Sequence, residues 1–68
     1  HAAKKAADIE LLSGNARSAF DRMIAVVRET TGDERQAARE YVVSLFELVG
    51  TQDPDVVAAR TALANALF

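Results

Sequence analysis

Apolar residues recur at steps of three and four along most of the chain, which is the period of one face of an α-helix. The pattern is densest from Asp33 to Gly50, so we expect this stretch to form the helix around which the others pack. Its apolar positions are Ala37, Ala38, Tyr41, Val42, Leu45, Leu48 and Val49. Val43 and Phe46 lie beside this face, so the apolar surface is wide enough to need more than one neighbouring helix.

Three glycines divide the chain into segments of similar length. They stand at positions 14, 32 and 50. Glycine is favoured just after a helix end because it adopts the left-handed conformation without steric cost. The sequence therefore predicts four helices, at about 2–13, 16–31, 34–49 and 54–67. Strands are not expected, because β-branched residues never alternate with polar ones over a long run.

Polar residues that favour helix starts stand before three of the predicted helices. Asn15 is expected to cap the second helix. Asp33 is expected to cap the third, with Gln36 completing a capping box. Asp53 is expected to cap the fourth, in which Pro54 is the first residue and lacks an N–H that would need a partner.

The connections between the predicted helices are short, which favours antiparallel neighbours. We therefore expect an all-α fold of four antiparallel helices, arranged as two helical hairpins in series. Gly14 and Gly50 are 36 residues apart. That distance is close to the period of about 34 residues in tetratricopeptide repeats. A plain four-helix bundle is the alternative architecture.

Composition narrows the function further. The chain has 68 residues, enough for one domain, and ten acidic against eight basic side chains give a net charge of −2. This balance argues against nucleic acid or an anionic membrane as partner. No apolar run reaches the length of about 18 residues that a membrane span needs. The chain has no cysteine, which is consistent with a cytoplasmic location. We expect a fragment of a longer protein, and His1 is either part of that protein or left over from a tag.

Reactive side chains do not form a catalytic pattern. The sequence has no nucleophile–base pair, glycine-rich phosphate loop or metal-ligand spacing, so we predict neither an enzyme nor a cofactor. Helix capping accounts for the carboxylates around positions 33 and 53. His1, the only histidine, lacks a second ligand or base beside it.

An ordered, ungapped set of residues runs from Asp33 to the C-terminus. It consists of Ala37-Ala38-Arg39, Leu45-Phe46-Glu47, Gly50, Asp53-Pro54, Val56, Arg60, Leu63 and Leu67-Phe68. In this set the chain resembles the C-terminal end of the chaperedoxin (YbbN/CnoX) family, which joins a thioredoxin fold to tetratricopeptide repeats. Residues 15–29 resemble the preceding helix of that family. The chain departs from the family at 29–32 and at Glu40, where aromatic or basic residues are usual.

The resemblance implies a module that binds proteins. Family members hold unfolded clients and pass them to a GroEL-type chaperonin, and their C-terminal helix is implicated in docking. Carried to this chain, the docking element is the segment 53–68. Its partners would be the chaperonin, unfolded clients or upstream repeats of its own chain.

Four residues are the candidate protein-contacting positions: Phe46, Arg60, Leu67 and Phe68. Phe46 either packs on the fourth helix or lies on a surface that upstream repeats would cover. Phe68 either folds back on the bundle or inserts into a groove of a partner. Arg35 and Arg39, with Arg28 near the same end, and also Arg60 could contact an acidic partner, although arginines more often lie on a solvated face. Phe20 and Tyr41 are expected in the core.

Two other functions compete with this interpretation. A helical homo-oligomerisation domain is possible because two hairpins leave apolar side chains uncovered, and a symmetric dimer is the commonest way to cover them. A helix-turn-helix DNA-binding domain is disfavoured by the net negative charge and by acidic residues on every helix.

Overall fold

The computed structural model describes residues 2–67 of the chain, with the side chains of 4–67. The helices are α1 (Ala2–Leu12), α2 (Ala16–Glu29), α3 (Gly32–Val49) and α4 (Pro54–Leu67). No strand occurs among the described residues, and the predicted all-α fold is confirmed. The helix bounds differ from the predicted ones by at most two residues.

The central element is α2, which packs against each of the other three helices. Its buried residues are Ala19, Phe20, Met23, Ile24 and Val27. They are spaced at steps of one, three and four, which makes the buried face wide, and neighbours can therefore cover it from several sides. The expectation that the segment 33–50 is central is wrong. In α3, Tyr41 and Val43 are only half-buried, and Leu48 is exposed.

The core is one cluster of apolar side chains from all four helices. At its centre, Phe20 of α2 meets Phe46 of α3 edge to face, with ring centroids 5.0 Å apart and planes at 80°. Such a pair stabilises a fold by about 0.5–1.5 kcal/mol beyond the burial of its area. Because Phe20 lies early in α2 and Phe46 late in α3, this contact is the one expected for antiparallel helices.

The first connection ends α1 with a glycine in the left-handed region. Gly14 has a φ of 81°, and its N–H donates to the carbonyl of Leu11 at 3.1 Å. The N–H of Asn15 donates to the carbonyl of Glu10 at 2.8 Å, which completes a Schellman motif. Asn15 occupies the predicted N-cap position of α2, where its carbonyl accepts the N–H of Ala19 at 3.2 Å, but its side chain makes no cap hydrogen bond.

The predicted N-cap residue is observed at the start of α4 but not at the start of α3. At α4 the prediction is confirmed: the Asp53 carboxylate accepts a hydrogen bond from the N–H of Asp55 at 2.9 Å. At α3 it is wrong, because the helix begins at Gly32, after Thr31, and Asp33 lies inside the first turn. Gly32 therefore starts α3 instead of ending α2. The second helix ends at Glu29, because the backbone of Thr30 is extended. Asp33 still favours the helix through its charge at the N-terminal end.

Polar contacts hold α1 against the rest of the fold. Arg22 Nε of α2 donates to Glu10 Oε1 at 2.5 Å. This hydrogen bond and the negative charge of Glu10 raise the pKa of Arg22 above its already high value. From α3, the Tyr41 hydroxyl donates to the Asp8 carboxylate and lies 3.4 Å from the Lys4 carbonyl oxygen. The Lys4 ammonium lies 5.3 Å from the centre of the Tyr41 ring, within cation–π range.

Candidate protein-binding groove

A groove separates α3 from α4, although the two helices are joined by a short turn. Both helices pack mainly on α2 and much less on each other, so the predicted second hairpin is open. The gap has a volume of about 460 Å³. That volume lies within the range of about 300–1,000 Å³ that is usual for ligand pockets.

The local sequence explains why α4 turns away from α3. Its buried residues are Val56, Ala59 and Leu63, which recur at steps of three and four on one face. Ala59 is small enough to allow a close approach of helices, and this face packs on α2. The side of α4 that borders the groove carries Arg60, Ala64 and Leu67 instead.

The floor of the groove is apolar. Phe46 and Leu63 form its deepest part, with 4% and 7% of their surfaces exposed. Val43 and Leu67 are half-buried and extend the apolar surface along α3 and α4. Phe46 also belongs to the core, so the floor that a partner would contact should be rigid.

Three charged side chains border this floor: Arg39, Glu47 and Arg60. Within the described part of the chain, the only ion pair joins Arg22 to Glu10, so neither groove arginine is paired with a carboxylate. Arg39 is half-buried and Arg60 is exposed. Arg35 does not belong to this set, because its Nε donates to the carbonyl of Thr30 at 3.2 Å.

Three of the four predicted contact residues, Phe46, Arg60 and Leu67, line this groove, while Phe68 lies outside the described residues. Their role in binding stays a prediction. Phe46 was expected on α4 or on a bare surface. It is not on a bare surface, because it is buried, borders the groove beside Leu63 of α4 and meets Phe20 of α2. Sequence reasoning did not include Val43 and Leu63 in the site. Val43 lies three residues before Phe46, and Leu63 lies three residues after Arg60. Residues at this spacing share a helix face, which is the signal that could have placed them in the site.

The rest of the described chain offers little for catalysis. No polar or charged side chain is buried among residues 4–67, and no three His, Cys, Asp or Glu side chains lie close enough to hold a metal ion there. None of the four helices, as far as the structure describes them, has both the length and the apolar character to cross a bilayer.

Helical-repeat proteins are built from short antiparallel helices that pack on their neighbours and leave surfaces for binding, and this arrangement is found here. The tetratricopeptide repeat family matches residues 1–68, and the chain therefore belongs to that family. Tetratricopeptide repeats are typically modules for protein interaction, so a protein is the partner that this membership indicates.

The chain is also similar to longer proteins of mycobacteria. A protein of Mycobacterium bovis and proteins from two strains of Mycobacterium tuberculosis, all described as uncharacterized, are 49% identical to it over 67 residues. The match covers 98% of this chain and 22% of each relative, so the chain spans about a fifth of their length. No solved structure matches the chain.

Proposed function

We propose that this chain is the non-catalytic, protein-binding tail of a thioredoxin-like co-chaperone, and that it binds through the groove between α3 and α4. The observation that carries the proposal is the groove itself, with an apolar floor and beside it two arginines that form no ion pair with any residue the structure describes. Protein-binding grooves combine these features, because apolar contacts supply affinity and charges at the rim supply specificity.

The identity of the co-chaperone comes from the chaperedoxin resemblance described above. Under this proposal the full protein acts in the cytoplasm, holds unfolded clients and docks on a GroEL-type chaperonin, with 53–68 as the docking segment. The relatives are more than four times as long as the matched region, which leaves room for a thioredoxin fold and further repeats. A parent sequence without a thioredoxin fold upstream of His1 would reject this identity.

Docking can be tested without removing α4. Deleting 53–68 is a poor test, because Val56, Ala59 and Leu63 belong to the core and their loss should unfold the chain. We instead choose Ala64→Trp, since Ala64 is exposed on α4 and lines the groove. A large ring there should fill the groove and leave the core intact.

The measurement is binding of the 68-residue chain to a purified GroEL-type chaperonin by biolayer interferometry. We expect Ala64→Trp to weaken binding by at least about tenfold, which equals about 1.4 kcal/mol. The matched control is Ala37→Trp, at an exposed position that helical periodicity puts on the opposite side of α3 from the groove. Absence of binding by the unmodified chain would reject the chaperonin partner. Equal binding by both variants would reject the groove as the docking site.

A second candidate function, homo-oligomerisation, is favoured by the exposed apolar side chains. Ile9 and Leu12 on α1 are 63% and 88% exposed, while Leu48 on α3 and Val57 on α4 are 73% and 53% exposed. A symmetric dimer could cover such residues. Sedimentation equilibrium at low and high concentration tests this function, and a monomer at every concentration rejects it.

A further inference from the structure

The charge of the groove differs in sign from that of the whole chain. The chain carries a net charge of −2, whereas the groove is bordered by Arg39 and Arg60 and by one carboxylate, that of Glu47. Neither arginine has an ion-pair partner in the described part of the chain. Arg39 is also half-buried, and a charge with less water around it interacts more strongly with an opposite charge.

We propose that the α3–α4 groove binds an amphipathic helical segment of another protein, in which carboxylates flank large apolar side chains. This inference rests on the proposed function, because it takes the groove as the binding site and adds the chemistry of the partner. Arginine is well suited to the role, since its planar guanidinium binds a carboxylate through two parallel hydrogen bonds.

The length of the groove matches that of a short helix. Its α3 side runs from Arg39 to Glu47 and its α4 side from Arg60 to Leu67. At a rise of 1.5 Å per residue, these sides are about 12 Å and about 10 Å long, or about two helical turns. A helix lying along them would place apolar side chains on the floor at positions i, i+3 or i+4, and i+7.

The positions of the charges set where the carboxylates of the partner would bind. The turn between Gly50 and Asp53 joins α3 to α4, and Arg60 is fewer residues from this turn than Arg39 is. The two arginines therefore lie at different heights along the groove, and the carboxylates that bind them should be separated along the bound segment. Glu47 borders the same groove and would repel a carboxylate beside it. Because Glu47 and Arg60 both lie nearer to the turn than Arg39 does, this repulsion affects Arg60 more. Arg39 should therefore attract the partner more strongly than Arg60.

The test uses a displayed library of random dodecapeptides, selected on the 68-residue chain and then measured individually by fluorescence anisotropy. Selected peptides should be enriched in Asp and Glu, with Leu, Phe or Met at helical spacing. The affinity of the best peptide should fall at least about tenfold with Arg39→Glu or Arg60→Glu. Arg28→Glu is the charge-matched control, because Arg28 is exposed on α2 and does not line the groove. It should change affinity by less than about twofold.

The outcomes separate this inference from the proposed function. Enrichment of acidic peptides whose binding is lost in both groove variants and kept in Arg28→Glu supports the inference. Selected peptides without an acidic excess, or an equal loss in Arg28→Glu, overturn it. If such neutral or basic peptides bind the unmodified chain but not the Ala64→Trp variant, the groove remains the binding site. Only its charge preference has then been assigned wrongly. Circular dichroism of each variant checks that the helices are retained.

Discussion

At the scale of single residues, Phe46 has two roles, because it belongs to the core and to the floor of the groove. Replacing it with alanine removes the edge-to-face contact with Phe20 and leaves a cavity. We expect Phe46→Ala to lower the free energy of unfolding by about 3–5 kcal/mol, as is usual for a buried aromatic residue. Urea denaturation followed by circular dichroism measures this change.

Two further variants keep that prediction testable if Phe46→Ala does not fold. Phe46→Leu fills most of the space and should cost less than Phe46→Ala. Leu48→Ala on the same helix should change stability by less than about 0.5 kcal/mol, because Leu48 is 73% exposed. Similar losses at positions 46 and 48 would contradict the assignment of Phe46 to the core.

The sequence predicted that Phe20 would lie in the core, and it is buried, whereas Phe46 was expected either on the fourth helix or on a bare surface and is buried as well. The sequence did not predict that they would meet each other. Helical periodicity shows which face of a helix is apolar, whereas the neighbour that covers this face depends on how the helices are placed in space. For the same reason the sequence did not predict that the ring of Phe46, which borders the groove beside α4, also meets Phe20 of α2.

At the scale of helices, the start of α4 can be compared with the start of α3. Asp53→Ala removes the carboxylate that accepts the N–H of Asp55, and we expect a loss of about 0.5–2 kcal/mol in unfolding free energy. Asp33→Ala should cost less, about 0.3–1 kcal/mol, because Asp33 acts only through the helix dipole. Thermal unfolding of both variants measures the difference, and a larger loss at position 33 would show that Asp33 is the cap after all.

The attachment of α1 to the other helices gives another prediction at this scale. The Tyr41 hydroxyl bonds to Asp8, so Tyr41→Phe should loosen α1 by about 0.5–1.5 kcal/mol. Hydrogen exchange should then show faster exchange of the α1 amides and little change in α2. Ser44→Ala is the control, because the Ser44 hydroxyl bonds only within α3, to the carbonyl of Tyr41. Faster exchange throughout the chain would mean that Tyr41 supports the whole core instead.

At the scale of the whole molecule, the fold depends on α2, since the other three helices pack on it. Ala19 is fully buried there, so Ala19→Leu should overpack the core and cost about 1–3 kcal/mol. Ala25→Leu on the same helix is the control, because Ala25 is half-exposed and should tolerate the larger side chain. Chemical denaturation of both variants measures the effect. Equal stability of the two would contradict the central position of α2.

The candidate groove was only partly predictable at this scale. The resemblance pointed to Phe46, Arg60 and Leu67, and these residues line one groove. Arg39 was noted as a possible contact to an acidic partner, together with Arg35, yet only Arg39 borders the groove. Both arginines follow the same periodicity on α3. They differ in position because the Arg35 side chain turns to the carbonyl of Thr30, the residue that follows α2.

The sequence alone determined the number of helices, their limits to within two residues, and the stop at Gly14 and the cap at Asp53. These features depend on contacts between residues close in the chain, where local stereochemistry decides the outcome. Only the tertiary structure decided that α2 is central, that α3 and α4 separate, and that an apolar groove bordered by two arginines lies between them. These depend on how four apolar faces share one core, and no single segment of the chain contains that information.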